Sequence, residues 1–494
     1  MISFYDMGHG TIGFTIFVAL LYLANFGIAI AIIYSERKDP AATLAWVLVL
    51  FLIPAAGILL YFFFSQNISR HKIFKLTKDE ERMMTSSLEK QESAIIDGTF
   101  DFNTFEADKW KDLIRLNQNY GRAYYTQDNS MEIYPDGNSL AHNLIEDIRN
   151  AQDTVNIMFF IVKPDEIGMQ LIDALTAKAK EGVKVRFLVD ALGSRHIGKK
   201  VMKEFCEAGG EFAKFFPPKF RIFQYVNPKL NFRNHRKLVA IDDAIAYIGG
   251  YNIAKEYMGM KKKFGFWRDT HIRIEGGAVQ DINCRFLMDW RASSNEDVHV
   301  ADVFFPPLQP YGKAGMQIVS TGPDSEHEQI KRAFLKMITS ATRRIYIQTP
   351  YFVPDDPILE SLKMAAQSGV DVRIMIPCKP DHIFVYWATY SYCGDIIRNG
   401  GRVFIYDDGF LHSKTMSVDG EAGTVGSTNF DRRSFKLNFE CNAFVYDVEE
   451  TMKMDRVFER DLGHCHELTP ELYANRSTWI KIKEPIARLL SDVL

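Results

Sequence analysis

Two short stretches of the chain repeat one arrangement of side chains that could carry out chemistry on a phosphate group. Each reads His-x-Lys-x-x-x-x-Asp, and in each a Gly-Gly or Gly-Ser pair begins seven residues after the Asp, with an Asn three residues beyond that start. A single copy of so short a pattern could arise by chance. Two copies with the same internal spacing indicate a shared role for their residues: His235, Lys237, Asp242 and Asn252 in the first copy, and His412, Lys414, Asp419 and Asn429 in the second.

Hydrophobic alternation predicts that the motifs lie on strands, at Lys237–Ile241 and Lys414–Val418. Because positions i and i+2 of a strand share a face, the His and Lys of each motif point the same way. A turn and a second short strand follow each motif, and that strand ends in small residues, where the backbone can approach a ligand closely. Imidazole, ammonium and carboxamide groups that converge on such a floor suit a phosphate.

Two motifs that face each other would place two histidines on opposite sides of one phosphorus atom. One histidine could then attack while the other protonates the leaving oxygen, which is the arrangement that in-line displacement requires. The two Lys and the two Asn side chains could stabilise the equatorial phosphate oxygens. We therefore expect the site to need neither a metal ion nor a cofactor.

A histidine that acts as a nucleophile must be neutral, and an acceptor must fix one of its ring nitrogens. Asp269 and Glu440 are the candidate acceptors, because each lies about thirty residues past a motif His and precedes an apolar run typical of a strand. A lone acid at such a place is usually a solvated charge at a strand end. The matched position in both copies favours a role in orienting the histidines.

The paired motifs resemble the two HKD signatures of the phospholipase D superfamily, and nearly the whole chain is similar to the bacterial cardiolipin synthases within it. The resemblance implies a ping-pong reaction. A histidine takes the phosphatidyl group from one phosphatidylglycerol, releases glycerol, and passes the group to a second phosphatidylglycerol, which gives cardiolipin.

The resemblance also implies roles for individual residues. His235 is the nucleophile and His412 the acid and then the base, although the two motifs by themselves do not distinguish these roles. The family often has Gly-Ser after both motifs, whereas the first copy here has Gly249-Gly250, so only Ser427 can offer a hydroxyl to the phosphate. The implied catalytic set is His235, Lys237, Asp242, His412, Lys414 and Asp419, the phosphate-binding set is Asn252, Asn429 and Ser427, and the orienting set is Asp269 and Glu440.

The N-terminal region has the composition of a membrane anchor. No charged residue occurs from Thr11 to Tyr34 or from Ala41 to Phe64, and each run is long enough to span a bilayer as a helix. We therefore predict an integral membrane protein of the cell membrane, with a two-helix transmembrane hairpin over residues 1–65. More Lys and Arg residues follow the second run than lie in the connecting loop, which favours cytoplasmic termini and a cytoplasmic catalytic body.

Internal similarity predicts the organisation of the rest of the chain. Residues 66–115 are charged and are expected to form a linker with helical pieces. Strands and helices then alternate in 116–310 and again, in the same order, in 311–494, where 368–373 echoes 181–186. The predicted fold is therefore α/β, with two tandem phospholipase D-like sandwich halves after the hairpin and the site between the halves.

Three other functions are compatible with parts of this pattern. A phospholipase D hydrolase, or a transphosphatidylase that uses another alcohol, would need the same motifs, because the pocket and the exclusion of water select the acceptor. A nuclease uses the same chemistry, but a net charge of −3 and the apolar N-terminal runs argue for membrane lipids as partners and against nucleic acid. A non-catalytic scaffold would be expected to have lost a motif His or Lys, and both copies retain them.

Overall fold

A computed structural model describes residues 4–35, 40–64, 73–217, 231–294, 296–300, 311–489 and 491. The chain forms two compact units, a small one that contains the N-terminal helices and a large one that contains both motifs. Helices and strands alternate through the large unit, as the sequence predicts.

The N-terminal unit consists of α1 (Phe4–Ser35), α2 (Pro40–Leu52) and α3 (Pro54–Phe64). Among the described residues, α1 alone is long and apolar enough to cross a membrane. The second apolar run is divided at Ile53, because Pro54 has no N–H with which to continue the helical hydrogen bonds. The predicted hairpin of two membrane-spanning helices is therefore not confirmed. Residues 36–39 of its predicted loop lie outside the described part of the chain.

Three helices occupy most of the region predicted to be a linker: α4 (Lys78–Ile96), α5 (Phe105–Lys109) and α6 (Lys111–Gly121). A capping box fixes the start of α4, where the Thr77 hydroxyl accepts from the Glu80 N–H and the Glu80 carboxylate accepts from the Thr77 N–H. Leu113 and Ile114 of α6 are fully buried in a core that they share with the second half of the large unit. This region therefore packs on the body of the protein.

The first half of the large unit contains β1 (Thr126–Asp136), α7 (Gly137–Asn150), β2 (Thr154–Phe159), α8 (Glu166–Lys180), β3 (Lys184–Asp190), α9 (Lys203–Glu207), β4 (Glu211–Phe215), β5 (Arg233–Asn234), β6 (Leu238–Ile241), β7 (Ile245–Gly249), β8 (Phe266–Glu275) and α10 (Ala278–Ser293). Its main sheet has the order β4-β3-β2-β6-β7-β8-β1. The first three strands are parallel, and the other neighbours are antiparallel.

The second half contains β9 (Ala314–Thr321), α11 (Gln329–Ser340), β10 (Arg344–Gln348), β11 (Phe352–Val353), α12 (Asp356–Gln367), β12 (Asp371–Pro377), α13 (Ile383–Arg398), β13 (Arg402–Tyr406), β14 (Gly409–Leu411), β15 (Thr415–Val418), β16 (Ala422–Gly426), β17 (Phe430–Asp431), α14 (Arg432–Lys436), β18 (Asn438–Tyr446), α15 (Val448–Leu462), β19 (Cys465–Glu467), α16 (Pro470–Ala474) and α17 (Thr478–Leu489). Its main sheet has the order β19-β13-β12-β10-β15-β16-β18-β9.

The two sheets repeat one topology. The order β4-β3-β2-β6-β7-β8 of the first half corresponds to β13-β12-β10-β15-β16-β18 of the second, with the parallel strands on the same side in both. Strand β1 joins the sheets, because it pairs with β8 along most of its length and with β9 at Thr126 and Asn129. The α/β fold and the duplication that the sequence predicts are both confirmed.

Short strands at the start of each motif cross from one half to the other. Strand β5 pairs in parallel with β18, and the His235 N–H donates to the Phe439 carbonyl at 2.9 Å. In the same way β14 pairs in parallel with β8, and the His412 N–H donates to the Arg268 carbonyl at 2.6 Å. The backbone of each motif histidine is therefore held by the half that contains the other motif.

Candidate active site

Both motif histidines line one cavity of about 630 Å³ in the large unit. His235 and His412 reach it from the ends of the two crossing strands, and Asn252 and Asn429 line it as well. An aromatic ring lies beside each imidazole, with a centroid separation of 4.9 Å between Phe160 and His235 and of 5.2 Å between Trp267 and His412. The two histidines are thus brought together as the repeated motif predicts.

Each histidine is held by a carboxylate from the opposite half. Nδ1 of His235 lies 3.0 Å from both carboxylate oxygens of Glu440, and Nδ1 of His412 lies 2.5 Å from Oδ2 of Asp269. Both carboxylates are fully buried. A hydrogen bond from Nδ1–H to the carboxylate fixes the tautomer and leaves Nε2 with the free lone pair.

Burial and neighbouring charges set the protonation of these groups. Burial and the charge of Lys414 lower the pKa of His412 to about 4, against the opposing effect of Asp269. Burial likewise lowers the pKa of His235, against the effect of Glu440. Burial raises the pKa of Asp269, but the charges of Lys414 and His412 outweigh that effect and lower it overall. The site therefore holds neutral imidazoles beside an ionised carboxylate at neutral pH.

The motif lysines are buried beside the histidines. Lys237 donates to the backbone oxygen of His235 at 2.5 Å, and Lys414 donates to that of His412. Burial lowers the pKa of Lys237 to about 7 and that of Lys414 to about 8, and each lysine lies near carboxylates that oppose this effect. An anion bound between the histidines would stabilise the charged form of both lysines.

Both motif asparagines line the cavity, and a hydrogen bond fixes the orientation of the Asn252 side chain. The side-chain oxygen of Asn252 accepts from the Ile161 N–H at 3.0 Å, so the group that Asn252 can offer to the cavity is its NH₂. Asn429 lines the cavity from the second half. Two carboxamides therefore accompany the two imidazoles, one from each copy of the motif.

The structure places the motif aspartates outside the cavity, at the other end of the motif strands. The Asp242 carboxylate accepts from the backbone N–H groups of Gln152, Asp153 and Thr154 at 2.7–2.8 Å. The Asp419 carboxylate accepts from the N–H groups of Thr342, Arg343 and Arg344 and from the Thr342 hydroxyl. Each aspartate thus ties its own motif strand to the neighbouring strand. Neither aspartate lines the cavity.

The structure also places Ser427 away from the cavity wall. Its hydroxyl accepts from the Cys441 N–H at 3.0 Å and so ties the end of β16 to β18. The corresponding residue in the first half is Gly250, where a Cβ would overlap the Asp269 carboxylate. The departure from Gly-Ser in the first copy therefore makes room for Asp269, and a phosphate contact is not needed to explain Ser427.

Several residues that line the cavity lie outside the repeated motifs, so the spacing of the motifs does not predict them. Arg233 and Arg433 line the cavity beside the histidines, and the Tyr351 hydroxyl donates to the Asp381 carboxylate on the same wall. Arg233 could have been found, since it lies two residues before His235 and shares its face of an extended strand. The rim is apolar and exposed, with Leu192, Ile383 and Phe384 between 46% and 54% exposed.

The chain matches two known protein families. A profile described as cardiolipin synthase, PLD-like domain, matches residues 144–290 and 334–462, and a profile described as phospholipase D-nuclease N-terminal matches residues 23–66. The first profile thus covers the two halves that contain the motifs. The second covers the apolar N-terminal region.

Curated relatives match over nearly their full length. The major cardiolipin synthase of Bacillus subtilis (strain 168) is 47% identical over 485 residues, which are 97% of this chain and 99% of that protein. The cardiolipin synthase of Oceanobacillus iheyensis is 45% identical over 480 residues, again 97% and 99% of the two chains. The crystal structure of phosphatidylserine synthase from Haemophilus influenzae has a similar fold, with a TM-score of 0.60 at 14% identity over 77% of this chain and 100% of that one.

Proposed function

This chain belongs to the cardiolipin synthase family of phospholipase D-like proteins, and we propose that it is a phosphatidyltransferase that converts two phosphatidylglycerol molecules into cardiolipin and glycerol. The observation that carries the proposal is the pair of neutral histidines in one cavity, each held by a buried carboxylate. A nucleophile and a proton carrier are both present: His235 is neutral, as attack requires, and His412 takes up a proton when the anionic substrate binds.

The first half-reaction forms a phosphatidyl-histidine. Nε2 of His235 attacks the phosphorus of the donor lipid, and the bond from phosphorus to the glycerol headgroup oxygen breaks. His412, protonated when the anionic phosphodiester binds beside it, gives its proton to that oxygen, and glycerol leaves. Glu440 keeps the proton of His235 on Nδ1, so that Nε2 is the attacking atom.

The second half-reaction breaks the phosphorus–nitrogen bond to His235 that the first half-reaction formed. The terminal hydroxyl of a second phosphatidylglycerol attacks the phosphorus while His412, now neutral, accepts its proton. The P–N bond to His235 breaks, and cardiolipin is released with His235 neutral again. Lys237, Lys414, Asn252 and Asn429 bind the equatorial phosphate oxygens in both steps, where negative charge accumulates in the transition state.

The rim of the cavity suits a lipid substrate. Leu192, Ile383 and Phe384 expose apolar surface around a polar floor, so acyl chains can rest on the rim while the headgroup reaches the histidines. The apolar helix α1 fits membrane association. We place the protein in the cell membrane as an integral protein with the catalytic body on the cytoplasmic side, supported by the basic residues that follow the apolar region.

The test is turnover of phosphatidylglycerol in mixed micelles by the wild type, His235→Ala and His412→Ala. Each variant should lose cardiolipin formation by a factor of about 10⁴ or more, because each removes a group that acts in both half-reactions. Binding to vesicles should be unchanged. Either variant retaining a tenth of the wild-type rate would contradict the assignment.

A further inference from the structure

Two arginines line the cavity in addition to the residues that the proposed mechanism uses. Arg233 lies two residues before His235 on the crossing strand, so the two side chains share a face, and both line the cavity. Arg433 is the second residue of α14 and reaches the same cavity from the other half. The pair therefore brings a guanidinium group from each half to one wall.

The carboxylates near these arginines are already engaged by other donors. Asp190 lies 3.5 Å from Nη1 of Arg233, but its oxygens also accept from the N–H groups of Leu192, Gly193 and Asn234. Asp190 therefore binds backbone N–H groups as well as Arg233.

The two guanidinium groups also act on each other. Burial lowers the pKa of Arg433, Asp431 opposes that effect, and the positive charge of Arg233 lowers the pKa further. Asp431 itself accepts from the Ser434 N–H at 2.6 Å, where it caps α14. Two guanidinium groups that line one cavity suit an anion, and phosphate is the anion that guanidinium groups bind best.

The reaction brings a second phosphate into the cavity only in its second half. The phosphate of the donor lies between the histidines, while the acceptor phosphatidylglycerol carries a phosphate of its own, one glycerol unit away from the hydroxyl that attacks. We propose that Arg233 and Arg433 bind the phosphate of the acceptor lipid and thereby select phosphatidylglycerol over water and over free alcohols. This inference rests on the proposed function and names the second substrate site within it.

The atoms of the step balance without any further reactant. With its phosphate held by Arg233 and Arg433, the acceptor presents its terminal hydroxyl to the phosphatidyl-histidine. The oxygen–phosphorus bond forms, the phosphorus–nitrogen bond to His235 breaks, and His412 takes the hydroxyl proton. The arginines bind and orient, and they exchange no proton.

Two assays on one enzyme separate the halves of the reaction. Incorporation of labelled glycerol into phosphatidylglycerol needs a donor phosphate and a free alcohol, whereas cardiolipin formation also needs the acceptor phosphate. For Arg233→Gln and Arg433→Gln, the ratio of cardiolipin formation to glycerol exchange should fall roughly 10- to 100-fold, the effect of losing one charged hydrogen bond. The KM for the acceptor should rise, and Arg433→Lys should recover part of the ratio.

A matched control is Arg149→Gln, because Arg149 is 61% exposed and pairs only with Glu146 on the surface of α7. It should leave both assays unchanged. A parallel fall of exchange and cardiolipin formation in folded arginine variants would overturn the proposal, since it would assign the arginines to the donor phosphate. If Arg233→Gln does not fold, the result for Arg433→Gln tests the proposal by itself, because Arg433 is only half-buried. A wild type that makes no cardiolipin but exchanges glycerol would instead reject the proposed function.

A separate observation concerns the second apolar run, which folds back on itself. The ring centroids of Trp46 in α2 and Tyr61 in α3 are 5.5 Å apart, whereas residues at that spacing in a continuous helix would be roughly 22 Å apart. At the bend, a Cβ on Gly57 would lie only 2.7 Å from the Val49 carbonyl oxygen, so the absence of a side chain permits the close approach. Neither helix alone reaches the roughly 30 Å of a bilayer core.

The bend lies against the middle of α1. The side chain of Asn25, fully buried near the midpoint of the Ile12–Tyr34 span, donates to the Pro54 carbonyl at 3.4 Å. Irregular backbone at membrane depth is stable only where protein groups satisfy it, and Asn25 supplies such a group. We infer that α1 crosses the membrane once and that α2 and α3 form a re-entrant hairpin whose tip reaches mid-membrane.

This topology puts both basic clusters on one side. Arg37 and Lys38 before α2, and Arg70 and Lys72 after α3, would all be cytoplasmic, which satisfies the preference for positive charge inside. Two full crossings would place the first cluster outside. The two topologies agree on the catalytic body and differ in the side on which residue 1 lies.

An epitope tag before residue 1, probed with protease on intact protoplasts, distinguishes them. A re-entrant hairpin predicts that protease removes the N-terminal tag from intact protoplasts. A C-terminal tag should remain protected until the protoplasts are lysed. A protected N-terminal tag would establish two crossings and reject the re-entrant hairpin. Cardiolipin formation by the tagged protein serves as the check that the tag has not altered insertion.

Discussion

Glu440, in the second half, lies 3.0 Å from Nδ1 of His235, in the first, and Asp269 of the first half holds His412 of the second in the same way. The exchange follows from the backbone, because each histidine N–H bonds to a carbonyl in the strand that bears the opposite carboxylate. Neither half can therefore orient its own histidine. Both must fold together before either motif is competent.

Removing the orienting charge should reduce turnover without removing the histidine. Glu440→Gln and Asp269→Asn should each lower kcat by roughly 10²- to 10⁴-fold, because an amide no longer fixes the tautomer or stabilises the charged imidazole. Initial rates of cardiolipin formation measure this. Glu204→Gln, at a side chain 74% exposed, is the control and should match the wild type. Equal activity of Glu440→Gln and the control would show that the carboxylate is structural.

The alkaline side of the pH profile should report the motif lysines. Burial lowers the pKa of Lys237 to about 7, so in the free enzyme the lysine loses its charge as the pH rises through that value. The neutral amine attracts an anionic phosphodiester less, and kcat/KM should fall above about pH 7. The acid side should fall only below the ordinary pKa of a histidine, because His235 must be neutral to attack and burial lowers its pKa. Initial rates in neutral-detergent micelles test this, and a profile flat up to pH 9 or so would contradict it.

The motif aspartates should matter for stability more than for chemistry. Asp242→Asn should lower the free energy of unfolding by about 1–3 kcal/mol, since its carboxylate accepts three backbone N–H groups. Thermal unfolding in detergent measures the loss, and the rate per folded molecule should stay within a few-fold of the wild type. A stable but inactive Asp242→Asn would return Asp242 to the catalytic set.

The second motif aspartate adds a pH dependence to this stability. Burial raises the pKa of Asp419, but hydrogen bonds from Arg344, Thr342 and Arg343 lower it overall. A carboxyl with a depressed pKa stabilises the fold above its unfolded pKa, and that stability is lost as the pH falls through the folded value. Asp419→Asn should therefore flatten the acid limb of the unfolding midpoint against pH. An acid limb identical to that of the wild type would show that Asp419 makes no such contribution.

Replacing Gly250, which follows the first motif, with serine should lower the activity. Gly250→Ser would push a side chain into the Asp269 carboxylate and displace the group that holds His412. We expect a loss of activity similar to that of Asp269→Asn, measured as cardiolipin formed per folded molecule. Ser427→Gly, which removes hydrogen bonds to the Cys441 backbone and to Glu440, should cost about 1 kcal/mol of stability and should lower activity less than Gly250→Ser.

Local pattern predicted much of the large unit. Strands β6 and β15 begin and end within about one residue of the bounds expected for the motif strands, because hydrophobic alternation is a local signal. The repeated spacing likewise identified the histidines, the lysines and the two carboxylates. Which carboxylate meets which histidine depends on the parallel pairing of β5 with β18, a contact between distant residues that no local pattern contains.

Other features could not be predicted from local sequence patterns, because they also depend on contacts between distant residues. Asp242 belongs to the motif in sequence, yet its partners are backbone groups about ninety residues earlier. Arg433 carries no periodic signal, and only the fold brings it to the cavity. The division of the second apolar run rests on Pro54, a helix breaker that membrane helices often tolerate, so composition alone predicted a single span.

The most direct test uses the purified protein in mixed micelles, with phosphatidylglycerol as the only phospholipid and a chelator present, and quantifies cardiolipin, phosphatidic acid and free glycerol. The proposed function predicts cardiolipin and glycerol in equal amounts, at a rate that the chelator does not change. Phosphatidic acid without cardiolipin would contradict it and would make water the acceptor in place of a second lipid.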